Sequence, residues 1–184
     1  SLQEQISDAL AARGYHEAMA NSLTKASYYD NERVVSLLNP LSQDLGVLRQ
    51  SLLEPSLECA QYNLNRQQLN IKAFEFGSVY TVGKKAFDEL ALWFTGKQHQ
   101  EGWSQNNDTG QVHHLITEAF AICRLLGIRE ADIRTQEFTH SNLSFGIELM
   151  ARGRSLGYIG SVSNETLAKF DIDQPIFYSE LNWD

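Results

Sequence analysis

Residues 39–53, NPLSQDLGVLRQSLL, constrain the fold of this chain more than any other stretch. Pro40 has no N–H to give a sheet ladder and drives Asn39 toward an extended conformation, so the apolar run 34–38 is expected to be a strand that stops there. A polar turn follows at 42–44. A short extended piece at 46–48 then leads to Arg49, and Ser51 stands where it can cap a helix. The stretch reads as a strand-to-helix junction holding one isolated cation. The simplest role for Arg49 is an ion pair or a carbonyl clamp that fixes this turn.

The 184 residues suit one globular unit, 1–184, with no linker, repeat or low-complexity segment to divide it. A net charge of −8 argues against a broad nucleic-acid surface. Arg152 and Arg154 around Gly153, and Lys84 and Lys85 after Gly83, read as solvated hairpin tips. With no apolar run of the roughly 20 residues that span a bilayer, and no basic-then-apolar leader, a soluble cytoplasmic chain without a membrane partner is expected. Cys59 and Cys123 fall in helical patterns and suit buried thiols.

Periodicity supplies the rest. Leu2, Ile6, Ala9 and Leu10 share one helical face, with Gly14 placed for a left-handed cap. One helical turn fits 24–29. A second helix, with Leu57, Ala60 and Leu64 on one side, runs from Pro55 to about Gln68. Alternation predicts strands at 72–82 and 89–95 joined as a hairpin, then a long polar loop at 97–109 anchored by Trp103. Val112, Leu115, Ile116, Ala119, Phe120, Cys123 and Leu126 mark a third helix ended by Gly127. A second hairpin, 143–151 with 155–162, turns at Arg152–Arg154; a short helix runs from Ser163 or Asn164 to near Phe170, and a last strand fills 176–181. Hairpins with helices inserted before and between them indicate an α+β domain with an antiparallel β-sheet flanked by helices, not a doubly wound sheet.

Chemistry-bearing clusters are sparse. His114 and Glu118 stand four apart without a third ligand and read as a solvated polar face. Glu75, Glu148 and Glu180 lie opposite the apolar positions of their strands or near an end, and spacing alone does not pair them. No G-x-S-x-G elbow and no Gly-rich phosphate turn occurs.

The junction, the pair Asn63 and Arg66 in the next helix, and FEFGSVY at 74–80 together resemble the catalytic-like module of the bacterial phenylalanyl-tRNA synthetase beta subunit. That family carries N-P-[IL]-S-x-[DE]-L-x-V-[ML]-R-x-S-L-L, N-x-x-R and F-E-[IF]-G-x-V-[FY] in this order. ALAARGYHEAMANSL at 9–23 and SLGYIGSVSNETLAKFDIDQPIFYSELN at 155–182 extend the likeness over essentially the whole chain. LLEPSLE, NDTGQVHHL and FTHSNL depart from the family pattern.

The resemblance implies the class II aminoacyl-tRNA synthetase-like fold, in which residues 1–40 form a motif-1-like interface helix and strand. Leu2, Ile6, Leu10, Asn39, Pro40, Arg49 and Ser51 then become candidate structural or subunit-interface residues. Catalytic members of the fold hold ATP phosphates with one arginine on a strand and another on a C-terminal helix. Aligned to that pattern, this chain offers Thr81 or Val82 for the first and ends IFYSELNWD without G-x-G-x-x-R. No catalytic, cofactor-binding or metal residue is therefore expected; ATP and magnesium belong to the whole complex. The implied partners are the catalytic alpha subunit and, through the complex, tRNA(Phe), and the isolated chain is expected to self-associate. Two other readings remain open: a cleft that still binds a nucleotide or amino acid through Arg49 and Glu75, and a stand-alone interaction domain.

Overall fold

Strand alternation sorts the apolar residues of the central sheet onto two faces, and each face is covered by its own helices. The computed structural model describes residues 1–30, 32–96 and 108–183, with side chains left undescribed at 108–111. Its elements are α1 (Leu2–Ala11), β1 (His16–Glu17), β2 (Leu23–Thr24), β3 (Val47–Leu48), α2 (Leu53–Leu64), β4 (Ile71–Val79), β5 (Phe87–Thr95), α3 (Asp108–Leu125), β6 (Ile133–Glu137), β7 (Leu143–Ala151), β8 (Arg154–Val162), α4 (Asn164–Lys169) and β9 (Ile176–Asn182). The main sheet runs β1-β4-β5-β9-β8-β7-β6. All its neighbours are antiparallel except the two-residue β1–β4 pair. The expected α+β architecture is what forms.

On one face Phe74, Leu90, Leu92, Phe94, Ile159 and Leu149 pack beneath Ile6 and Leu10 of α1 and Val112, Leu115 and Ala119 of α3. On the other, Ala73, Ala91, Trp93 and Tyr178 pack beneath Leu53, Leu57 and Ala60 of α2 and Leu167 of α4. This second core holds Trp93 and Tyr178, the two largest fully buried side chains among the described residues.

Local signals set the boundaries. Ser1 and Glu4 form a capping box at the start of α1, and Gly14 takes φ +85° three residues past its end. Gly127, at φ +77°, closes α3. Arg152 and Gly153, both with positive φ, make the two-residue turn between β7 and β8. Asp108 and Thr109, expected in the polar loop, already belong to α3; residues 97–107, with Trp103, lie outside the described residues.

Residues 34–38 are not the strand expected from their apolar run. They pair only through a bridge between Ser36 and Val47, with flanking bonds from Leu37 N–H to Gly46 O and from Leu48 N–H to Val35 O. Their partner β3 is two residues long, so no longer ladder can propagate, and Leu38 is left 97% exposed. Three short strands, β1, β2 and β6, were not foreseen. None is long enough, or apolar enough on one side, to show a period of two.

Candidate functional site

Cross-strand register places Glu75, Ala91, Glu180, Tyr158 and Glu148 in one row across β4, β5, β9, β8 and β7. The row lies on the α2 face, where the junction 39–53 closes over it. Arg49, 3% exposed, reaches down to this row. Its Nη1 donates to Glu75 Oε1 at 2.7 Å and its Nε donates to the Ser78 carbonyl at 3.0 Å. The cation thus makes both contacts expected of it, an ion pair and a carbonyl clamp. Two backbone bonds fix the same residue: Arg49 N–H donates to Ser22 O and Tyr80 N–H donates to Arg49 O, each at 2.9 Å.

Ser51 joins the junction to the far side of the row. Its Oγ accepts from Leu53 N–H at 3.0 Å and donates to Glu180 Oε2 at 2.9 Å. Ser51 therefore caps the first turn of α2, although the helix begins one residue later than a cap at 51 implies. Glu180 Oε2 also accepts from the hydroxyls of Tyr178 and, at 3.3 Å, Tyr158. Glu54, in the first turn of α2, accepts from Tyr29 O–H at 3.3 Å.

Carboxyls dominate the cleft. Burial pushes the Glu54 pKa up to about 7. Glu89 is pushed well above the ordinary carboxylate range by burial first, then by its hydrogen bond to Glu180 and the charge there. Two adjacent carboxyls, Glu180 buried and Glu89 half-buried, cannot both ionise cheaply, so the proton is held on Glu89. Over this end Phe138 stacks on Tyr158 with ring centres 4.8 Å apart, and His140 stacks on both. Burial lowers the His140 pKa against the opposing pull of Glu180.

The other candidates lie as follows. Leu2 is 44% exposed, whereas Ile6 and Leu10 are buried in the chain's own core and offer no side chain to a partner. Asn39 and Pro40 are exposed. Glu75 and Glu180 do sit opposite the apolar positions of their strands, but that opposite face is covered as well, so both are buried. Glu118 is not on a solvated face: it is 6% exposed, held by Arg13 Nη1 at 2.8 Å and approached by His114 Nε2 at 3.7 Å. Cys123 is buried and Cys59 half-buried, and burial raises both thiol pKa values. Glu54, Glu89, Tyr158 and Tyr178 escaped the sequence reading. For Tyr178 and Glu180 a signal existed, since they stand two apart in a strand and so share a face.

These residues do not fit the phosphates of ATP. Arg49 is already neutralised by Glu75, and the hydroxyls of Ser51, Tyr158 and Tyr178 already donate to Glu180, so none of these donors is left for an anion there. Thr81 and Val82 lie beyond the end of β4, outside the ladder.

The family model described as the phenylalanyl tRNA synthetase beta chain CLM domain matches residues 1–183. The chain belongs to this family. Among relatives of this CLM domain, the phenylalanine–tRNA ligase beta subunit of Bacteroides thetaiotaomicron is 33% identical over 99% of the chain and 24% of its own length. That of Geobacter sulfurreducens is 29% identical over 100% of the chain and 25% of its own length. The chain thus spans about a quarter of the relatives it matches. Pyrrolysyl-tRNA synthetase from Desulfitobacterium hafniense superposes with a TM-score of 0.75 at 18% identity, covering 98% of this chain and 64% of the other. The CLM domain therefore has the class II synthetase fold. No helix among its described residues is long and apolar enough to cross a membrane.

Proposed function

We propose that this CLM domain is a non-catalytic, class II-like module that scaffolds the beta subunit and pairs with the catalytic alpha subunit in the ATP-dependent charging of tRNA with phenylalanine. The reading is supported above all by Arg49. A phosphate-binding arginine must present donors that the substrate can reach, and this one is buried against Glu75 and the Ser78 carbonyl. ATP and magnesium are then handled by the alpha subunit, in the cytoplasm, and residues 1–40, which include the exposed Asn39 and Pro40, contribute to the subunit contact. The whole chain acts as one module in this role.

Calorimetry of the domain with ATP and with phenylalanine, alongside ATP–pyrophosphate exchange, tests the proposal. No binding and no exchange are expected. Micromolar binding of either ligand, or measurable exchange, overturns it.

A further inference from the structure

Five of the nine arginines in a chain of net charge −8 gather at one end of the sheet. Arg124 lies in the last turn of α3, Arg129 and Arg134 flank the turn Glu130–Asp132, and Arg152 and Arg154 bracket the β7–β8 tip. Backbone pairing brings them together, because Ile133 lies opposite Ala151 and Ala151 opposite Arg154. Arg129, Arg152 and Arg134 all help to hold the Asp132 pKa down, the Arg129 hydrogen bond foremost.

Two of the side chains are aimed in advance. The Nε and Nη2 of Arg129 each donate to Asp132 at 3.0 Å, and Arg134 Nη1 donates to the Ala131 carbonyl at 3.1 Å. Arg129 nevertheless stays 79% exposed, as Arg124 does at 71% beside Glu130, so donors remain on the outer side. The two carboxylates of the turn leave the corner with surplus positive charge, while the rest of the chain is strongly negative. An approaching polyanion is steered to this corner first. The partner it fits carries phosphodiesters: guanidinium forks match phosphate oxygens, and a two-residue hairpin tip that holds Arg152 and is followed by Arg154 is a projection narrow enough for a nucleic-acid groove.

We propose that this arginine corner docks the phosphate backbone of a folded RNA. The inference does not rest on pairing with an alpha subunit. The test is fluorescence anisotropy of the complete protein carrying this chain with a folded tRNA transcript, across a salt series. Arg152→Ser combined with Arg154→Ser is expected to weaken binding at least about tenfold at low salt. It should also flatten the dependence of log K on log salt by about 2, since each lost phosphate contact removes about 0.9. Lys84→Ser with Lys85→Ser removes the same charge from the other hairpin tip and is expected to change neither quantity. Arg129→Ser, outside the β7–β8 hairpin, should weaken binding in the same direction and supplies the reading if the hairpin variant misfolds. Unchanged affinity and slope in the arginine variants, or equal losses in the lysine variant, overturn the proposal. So does equal affinity for polyglutamate of matching charge, which would mark the corner as a site for an acidic protein.

Discussion

Gly77 makes the space that Arg49 fills: a Cβ at residue 77 would stand 2.2 Å from Arg49 Nη2 and 2.8 Å from Leu52 Cδ2. The glycine of the FEFGSVY stretch is thus explained by the buried guanidinium above it rather than by its own backbone. Gly77→Ala is expected to lower stability by about 1–3 kcal/mol, the usual effect of overpacking a filled site. A denaturant midpoint equal to that of the parent chain contradicts this.

Arg49→Ala leaves Glu75 buried without its cation and is expected to destabilise by about 3–5 kcal/mol. Replacing both partners, Arg49→Met with Glu75→Gln, should recover much of that loss, because the stranded charge goes with its partner. Equilibrium unfolding of Arg49→Met, Glu75→Gln and the double variant measures the coupling. Additive losses would show that the pair is not the unit described.

Ser51→Ala removes an acceptor from the first turn of α2 and a donor from Glu180. A loss of about 1–2 kcal/mol is expected, by thermal or denaturant unfolding. Ser51→Thr keeps the hydroxyl and should retain most of the stability.

Stability should fall as pH rises through the weakly acidic and neutral range. Glu54 titrates near 7 in the folded state against 4.5 for an ordinary glutamate, so between those values the folded chain holds the proton that the unfolded chain has lost. Its stabilising contribution is complete below about 4.5 and declines up to about 7, by at most about 1.4 kcal/mol per pH unit. Glu89, raised further, continues the decline on the alkaline side. Glu54→Gln should reduce the slope only below about 7, whereas Glu89→Gln should reduce it both below and above that value, read from denaturant midpoints against pH. Slopes unchanged by both substitutions would show that neither carboxyl is held protonated.

Much of this fold was legible because its principal helices and hairpins carry long periodic runs; α3 and the β7–β8 hairpin are the clearest cases. The fate of residues 34–38 was not, since a strand needs a partner and local pattern does not reveal that theirs is the two-residue β3. At the cleft, Arg49 stood out as an isolated cation, but its partner Glu75 lies 26 positions away and the Ser51–Glu180 bond spans 129. Such pairs are set by sheet register and helix docking, which local pattern does not encode. The burial of Glu54 and the partial burial of Glu89 likewise follow from α2 and the junction closing over one face of the sheet.

Co-expression of this domain with the cognate alpha subunit, followed by size-exclusion chromatography, tests the scaffold reading most directly. The account predicts a stable co-eluting complex, weakened by Arg49→Ala in proportion to its loss of folding. A well-folded domain that elutes apart from the alpha subunit would contradict it.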